Sequence, residues 1–221
     1  MRRWLTAVVA VSVITIGSAG MAIPVQAGPG DAGQNQPVEQ VRIYTVHSQA
    51  ELNEALRDWS QPGIFAHRIV LQPRMGNISF SLTERPPVEV HAVGGAKVDV
   101  SGNATLYASG RARVSISDNA AVYASDNATV NASGNSWVEA EGNAQVFASG
   151  NAKVIAFGGR VSARGSARIT AYGSARVAAF NTSWIAAYDT AEVIAFDTVE
   201  LWATGTVRAE IAGSGVKFNR I

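Results

Sequence analysis

The sequence predicts an all-β fold: a parallel β-solenoid wound from octapeptide repeats, with a short N-terminal helix as its cap. Three observations carry this. Fifteen near-copies of Ala-x-Val-x-Ala-x-Gly-Asn run from Ala96 to about Ser214, and a fixed short period is the mark of a solenoid. Within each copy, constant apolar and variable positions alternate, as on a strand with one buried face. Each copy then ends on Gly, Asp or Asn followed by Asn, Ser or Thr, which turn the chain at little steric cost.

Taken in order, residues 1–27 read as a secretory signal peptide. Arg2 and Arg3 form its charged start, Leu5 to about Gly20 its apolar stretch, and Val25-Gln26-Ala27 a small-residue cleavage site. The apolar run is shorter than the roughly 20 residues a spanning helix needs, so no stable membrane insertion is expected. Cleavage would remove two of the 18 Lys and Arg, leaving 16 against 17 Asp and Glu. Such a balance gives no bulk attraction to nucleic acid or to an anionic membrane. There is no Cys, which excludes disulfides and thiolate metal sites.

Residues 28–40, rich in Gly, Pro, Gln and Asn, read as a flexible leader. Residues 41–95 form the cap and first coils. Val41 to Val46 alternates like a strand, and Ser48 with Glu51 makes a capping box for a helix over Gln49 to Trp59. Leu52, Leu56 and Trp59 share one face of that helix and are expected to plug the open end of the core. After Pro62-Gly63, strand-like runs follow at Arg68–Leu71, Ile78–Leu82 and Val88–Val90. The order of strand, short amphipathic helix, Pro-Gly turn and apolar strand over Val41 to Leu71 resembles the opening of secreted pectate-lyase-like parallel β-helix proteins.

Residues 96–221 form the solenoid proper. Positions one, three and five of the octad are Ala, Val and Ala, as in Ala120, Val122 and Ala124, while positions two, four and six vary. A five-residue strand and a three-residue turn cannot close on themselves, so octads must group into coils. Two per coil suits the thin interior that a small-large-small profile implies; three per coil, a triangular prism, fits nearly as well. Asn103, Asn119, Asn127, Asn135, Asn143 and Asn151 are then expected to stack at the corners as amide ladders. Sequons at Asn103, Asn127 and Asn131 come with the repeat and imply no glycosylation. Arg160 to Ser166 reads as a seven-residue octad. The Gly-[Asn/Asp]-Ala-x-Val core resembles the repeats of uncharacterised bacterial and phage β-solenoid proteins, a likeness that implies architecture and transfers no activity.

The outward positions were searched for chemistry. A calcium β-roll needs Gly-Gly-x-Gly-x-Asp nonapeptides, whereas Asp118, Asp126, Asp189 and Asp197 stand in the turn position of an eight-residue period. An ice-binding column of Thr is missing, since Thr105, Thr129 and Thr170 are scattered. Asp99, Glu139 and Glu141 make no paired acid and base for glycan cleavage, and His47, His67 and His91 are not spaced as metal ligands. No catalytic residue, metal or cofactor is expected.

The nonrandom exterior lies late in the chain. Position six reads Phe157, Arg164, Tyr172, Phe180, Tyr188, Phe196, and position four adds Ile155, Ile194 and Trp202, where the first half carries Ser and charged residues. With two octads per coil, Phe157, Tyr172 and Tyr188 stack on one sheet and Phe180 and Phe196 on the other. The expected function is a secreted or cell-surface, non-enzymatic scaffold that binds a protein partner or itself through Phe157, Tyr172, Phe180, Tyr188, Phe196 and Trp202. A carbohydrate-binding or carbohydrate-active β-helix of pectate-lyase-like type is the alternative.

Overall fold

The computed structural model describes residues 42–58, 66–74, 78–86 and 88–220. The expected signal peptide, the whole of the leader and Trp59 lie outside the described residues. The chain begins with β1 (Arg42–Val46), α1 (Gln49–Asp58), β2 (Ala66–Leu71), β3 (Ser79–Leu82), β4 (Glu89–Ala92) and β5 (Lys97–Val100). Fifteen further four-residue strands follow, from Thr105–Ala108 to Lys217–Arg220. Strands alternate between two sheets, a long one of eleven and a short one of nine, and every pair of neighbours runs parallel. The molecule is a two-sided parallel β-solenoid.

Register settles the coil. Trp137 pairs with Ala121 on one side and Lys153 on the other, sixteen residues away each time, so two octads make one coil. Positions one, three and five form one continuous core in which Ala104, Leu106, Ile116, Val138, Ile169, Ile185 and Leu201 are fully or almost fully buried. Position seven turns most corners in the left-handed region, with Gly there in nine octads and Asp118, Asp126, Asn181, Asp189 and Asp197 in five. An L residue pays about 1 kcal/mol in this conformation, least when a short polar side chain compensates locally.

That compensation comes from the neighbouring coil. The carboxylates of Asp118, Asp126 and Asp189 accept the backbone N–H groups of Gly102, Gly110 and Gly173 at 3.0–3.1 Å, and Asp197 accepts that of Asn181 at 2.8 Å. The expected asparagine ladders need correction on this account. One amide–amide bond joins the stack among the described residues, Asn151 Nδ2 donating to Asn135 Oδ1 at 3.4 Å; Asn119, Asn127, Asn135, Asn143 and Asn151 bond the coil below through their main-chain N–H. Later corners use threonine, with the Oγ1 groups of Thr182, Thr190, Thr198 and Thr206 donating to carbonyls one coil back.

The short octad also moves. Gln145 pairs with Arg160 and Lys153 with Arg168, both fifteen apart. Arg160 therefore stands at position two, and the octad that lost a residue is Ala152–Gly158. Gly159 takes the inward position that Ala fills elsewhere, because a Cβ there would collide with the Ala144 carbonyl oxygen. Near the last coil the opposite occurs, with Glu200 pairing Lys217 across seventeen residues. Both irregularities fall at corners and leave the strands in step.

At the other end α1 takes the place of a strand beside β3. Leu52 is fully buried and Leu56 packs against the core. The cap forms as read, the Glu51 N–H donating to Ser48 Oγ at 3.3 Å, while the Glu51 carboxylate accepts from the His47 N–H at 2.7 Å. Gln49 adds a contact the sequence did not suggest. Its Oε1 accepts the Ser81 N–H at 2.7 Å and its Nε2 donates to the Ser81 carbonyl at 3.2 Å, so one side chain imitates the strand that β3 lacks.

Candidate binding face

The variable positions stand outward in three columns on each sheet. On the long sheet, position six gives a ladder of Phe157, Tyr172 and Tyr188, with ring centroids 5.4 and 4.9 Å apart and planes within 15°. Trp202 lies on this sheet too, in the middle column, outside the ladder; its Nε1–H donates to Glu200 Oε1 at 2.8 Å. Phe180 and Phe196 stack at 4.7 Å and 1° on the short sheet, with the Arg164 guanidinium 5.4 Å from the Phe180 centroid. The six residues singled out from sequence therefore occupy two opposite faces.

The long sheet carries a second ladder that the sequence reading missed. His91, Tyr107 and Tyr123 stack in the middle column at 4.8 and 4.9 Å, and Trp137 meets Tyr123 edge-on at 5.2 Å. The first-half face is thus aromatic as well, which corrects the expectation of a serine and charged surface there. Trp184 stands outward at position two of a later strand of the same sheet, beside Arg168. The signal was available, since His91, Tyr107 and Tyr123 are spaced by sixteen. These rings are separated in sequence by octads of the other sheet, whose middle position holds Asp99, Ser115 and Asn131, so the column is broken up until alternate octads are aligned.

The two ladders are offset. The first fills the middle column of early coils and the second fills position six of later ones, so each ladder runs beside a trough of smaller residues. Thr170 and the buried Ala186 continue the middle column past Ile155, and Val93, Ser109 and Ser125 begin the position-six column. Tyr123 and Phe157 expose 37% and 47% of their surface, enough to leave ring edges open to a partner.

One cluster on this face titrates unusually. His91 Nε2 lies 3.0 Å from Glu89 Oε2, which Arg68 also approaches at 3.4 Å. Burial holds the His91 pKa below its ordinary value against the favourable contact with Glu89. The hydrogen bond from His91 chiefly holds Glu89 below the usual carboxylate range. Burial, with Glu89 nearby, raises the Tyr107 phenol.

The short sheet is different in kind. Its exterior presents Lys97, Arg113, Arg160, Arg164, Arg176 and Arg208 against Asp99, Glu192 and Glu210, and Arg176 is held by Glu192 at 2.9 Å. A groove of about 750 Å³ runs along it past Ser117, Asn131, Ser133, Ser149 and Arg164 to Phe147, whose ring is 49% exposed. Among the described residues, no group of three or more His, Asp or Glu is placed to hold a metal ion, and no helix is long and apolar enough to cross a membrane. No protein-family profile, curated protein or solved structure matches this chain. The candidate site rests on its geometry.

Proposed function

We propose that the protein is a secreted, non-enzymatic scaffold that makes a protein contact through the aromatic exterior of its long sheet. The observation carrying this reading is the concentration of rings on one flat side: Tyr107, Tyr123, Trp137, Phe157, Tyr172, Trp184, Tyr188 and Trp202 all face outward from the same sheet. Ladder stacking alone stabilises neighbouring strands by up to about 1 kcal/mol per pair. A surface of seven coils at about 4.8 Å each, roughly 500 Å² in plan, is nevertheless at the size where exposed apolar patches mark interfaces.

The test compares wild type with a Tyr172→Ala/Tyr188→Ala variant by sedimentation across the micromolar range and by cross-linking to envelope proteins of the producing cell. Association present in the wild type and lost in the variant supports the reading. Association that ignores the substitutions removes it. Secretion is checked separately by sequencing the N-terminus of the exported chain, which should begin at Gly28.

The second reading, carbohydrate binding, draws on the short-sheet groove, where serine hydroxyls one coil apart lead to an exposed Phe147 ring and the Arg164 guanidinium. A glycan array with wild type and Phe147→Ala separates the two readings, because this substitution leaves the long sheet untouched.

A further inference from the structure

We infer that the partner of the long sheet is a second copy of the same chain, packed face to face and antiparallel about a two-fold axis. This rests on the reading of that sheet as a contact surface. The axis runs along the strand direction between the rows of Trp137 and Lys153, which are adjacent in the sheet.

The argument begins with the offset of the two ladders. A two-fold axis along the strands keeps every column facing its own column and reverses the order of rows. Tyr107 of one copy then lies over Ala186 of the other, which its own neighbours already cover, and Tyr123 over Thr170, so the middle-column ladder rides above the small residues of the middle column. In position six, Tyr188 meets Ser109 and Tyr172 meets Ser125, so the second ladder enters the other trough. In position two, Trp184 faces Thr105. Large residues meet small ones in every one of these pairs of the six central rows, and each pair occurs twice, as an isologous contact requires; one row further out His91 would meet Trp202 and Glu89 would meet Glu200, so the close packing ends at the sixth row. The alternative axis, along the solenoid, would set Tyr107 on Tyr107 and Tyr123 on Tyr123, ridge against ridge.

Charge follows the same symmetry. Glu139 and Glu141 stand in the last row before the axis, and Lys153 and Arg168 in the first two rows beyond it. None of these four has an ion-pair partner among the described residues. The rotation places the Lys153 ammonium by the Trp137 ring, a cation–π arrangement, and sets Glu139 over Ile155 and Glu141 over Phe157, with Lys153 in the same row and Arg168 one row further as the cations their carboxylates can reach across the columns. Six rows of about 4.8 Å across a five-residue width, buried on both copies, come to roughly 1,000 Å², the size at which specific interfaces begin.

The chain has no Cys, which makes the register directly testable. Ala121→Cys/Arg168→Cys places two thiols three coils apart in one chain, about 14 Å, but opposite each other across the proposed interface. A bismaleimide too short to span three coils should convert the double variant to a covalent dimer and leave both single variants monomeric. Ala186→Trp, which fills the trough facing Tyr107, should weaken dimerisation at least tenfold while circular dichroism and melting confirm the fold. A wild-type chain that stays monomeric to the highest soluble concentration overturns the inference and leaves the contact-surface reading to its own cross-linking test. A dimer that Tyr172→Ala/Tyr188→Ala abolishes but the bismaleimide fails to trap keeps that reading and overturns this packing. A dimer indifferent to both sets of substitutions overturns both.

Discussion

Ser136 and Ser183 occupy the inward position that Ala holds in most octads, and both are fully buried. They differ in one bond. Ser183 Oγ donates to the Phe180 carbonyl at 2.8 Å, whereas Ser136 Oγ has no partner. An unsatisfied buried hydroxyl costs roughly 1–3 kcal/mol, while a satisfied one is close to neutral. Ser136→Ala should therefore raise stability by about 1 kcal/mol, and Ser183→Ala should leave it unchanged or lower it; urea unfolding of the pair decides. His91 gives a second expectation. Because burial lowers its pKa, the folded chain binds that proton more weakly than the unfolded chain, so stability is full above the ordinary histidine value of 6.5 and falls as pH drops through it. The lowered Glu89 adds stability above 4.5 that is lost on further acidification. Melting temperatures from about pH 8 to about pH 4 should show the first decline in wild type and lose it in His91→Gln; an equal decline in that variant would assign it elsewhere.

Among elements, α1 shows how far local sequence reaches. Ser48 and Glu51 announced its start, and Leu52 and Leu56 announced its buried face, because these signals act within one or two turns. The pairing of Gln49 with Ser81 spans 32 residues and has no local trace, since any polar residue serves equally well until the tertiary approach is known. Leu52→Ala should cost about 2–5 kcal/mol as a buried deletion. Gln49→Ala should cost less in equilibrium unfolding yet speed amide exchange at Ser81 selectively. Exchange that stays slow there would mean the side chain shields nothing. The strands were more legible than the helix. Their alternation fixes which side faces in, and a shift of one residue would bury every charge.

For the molecule as a whole, the inward profile allowed both two and three octads per coil, and register chose two. The choice is hard to see in sequence because either closure buries the same Ala, Val and Ala. The aromatic surface was half legible. Phe157, Tyr172 and Tyr188 advertise themselves as consecutive exceptions in one position, but Tyr107 and Tyr123 hide among tolerated variation until every second octad is read together. Corners, by contrast, absorb changes of length. Inserting one Asn between Gly158 and Gly159 should restore an ordinary corner and alter stability by less than about 1 kcal/mol, whereas an insertion after Val154 should destabilise more, since it turns Ile155 inward and Ala156 outward within that strand. Thermal unfolding with far-ultraviolet circular dichroism distinguishes the outcomes.

The corner at Gly158 has a further consequence. The exterior behaves as a two-dimensional lattice in which adding sixteen to a residue number moves one step along the rod and adding two moves one step across it. The lost residue is a phase slip in that addressing, so from Arg160 through Ile211 every site carries a number one lower than the rule gives, until the extra residue before Lys217 restores it. Any motif written onto this surface, whether by mutation or by grafting, keeps its shape across the slip only if its numbering is rewritten there.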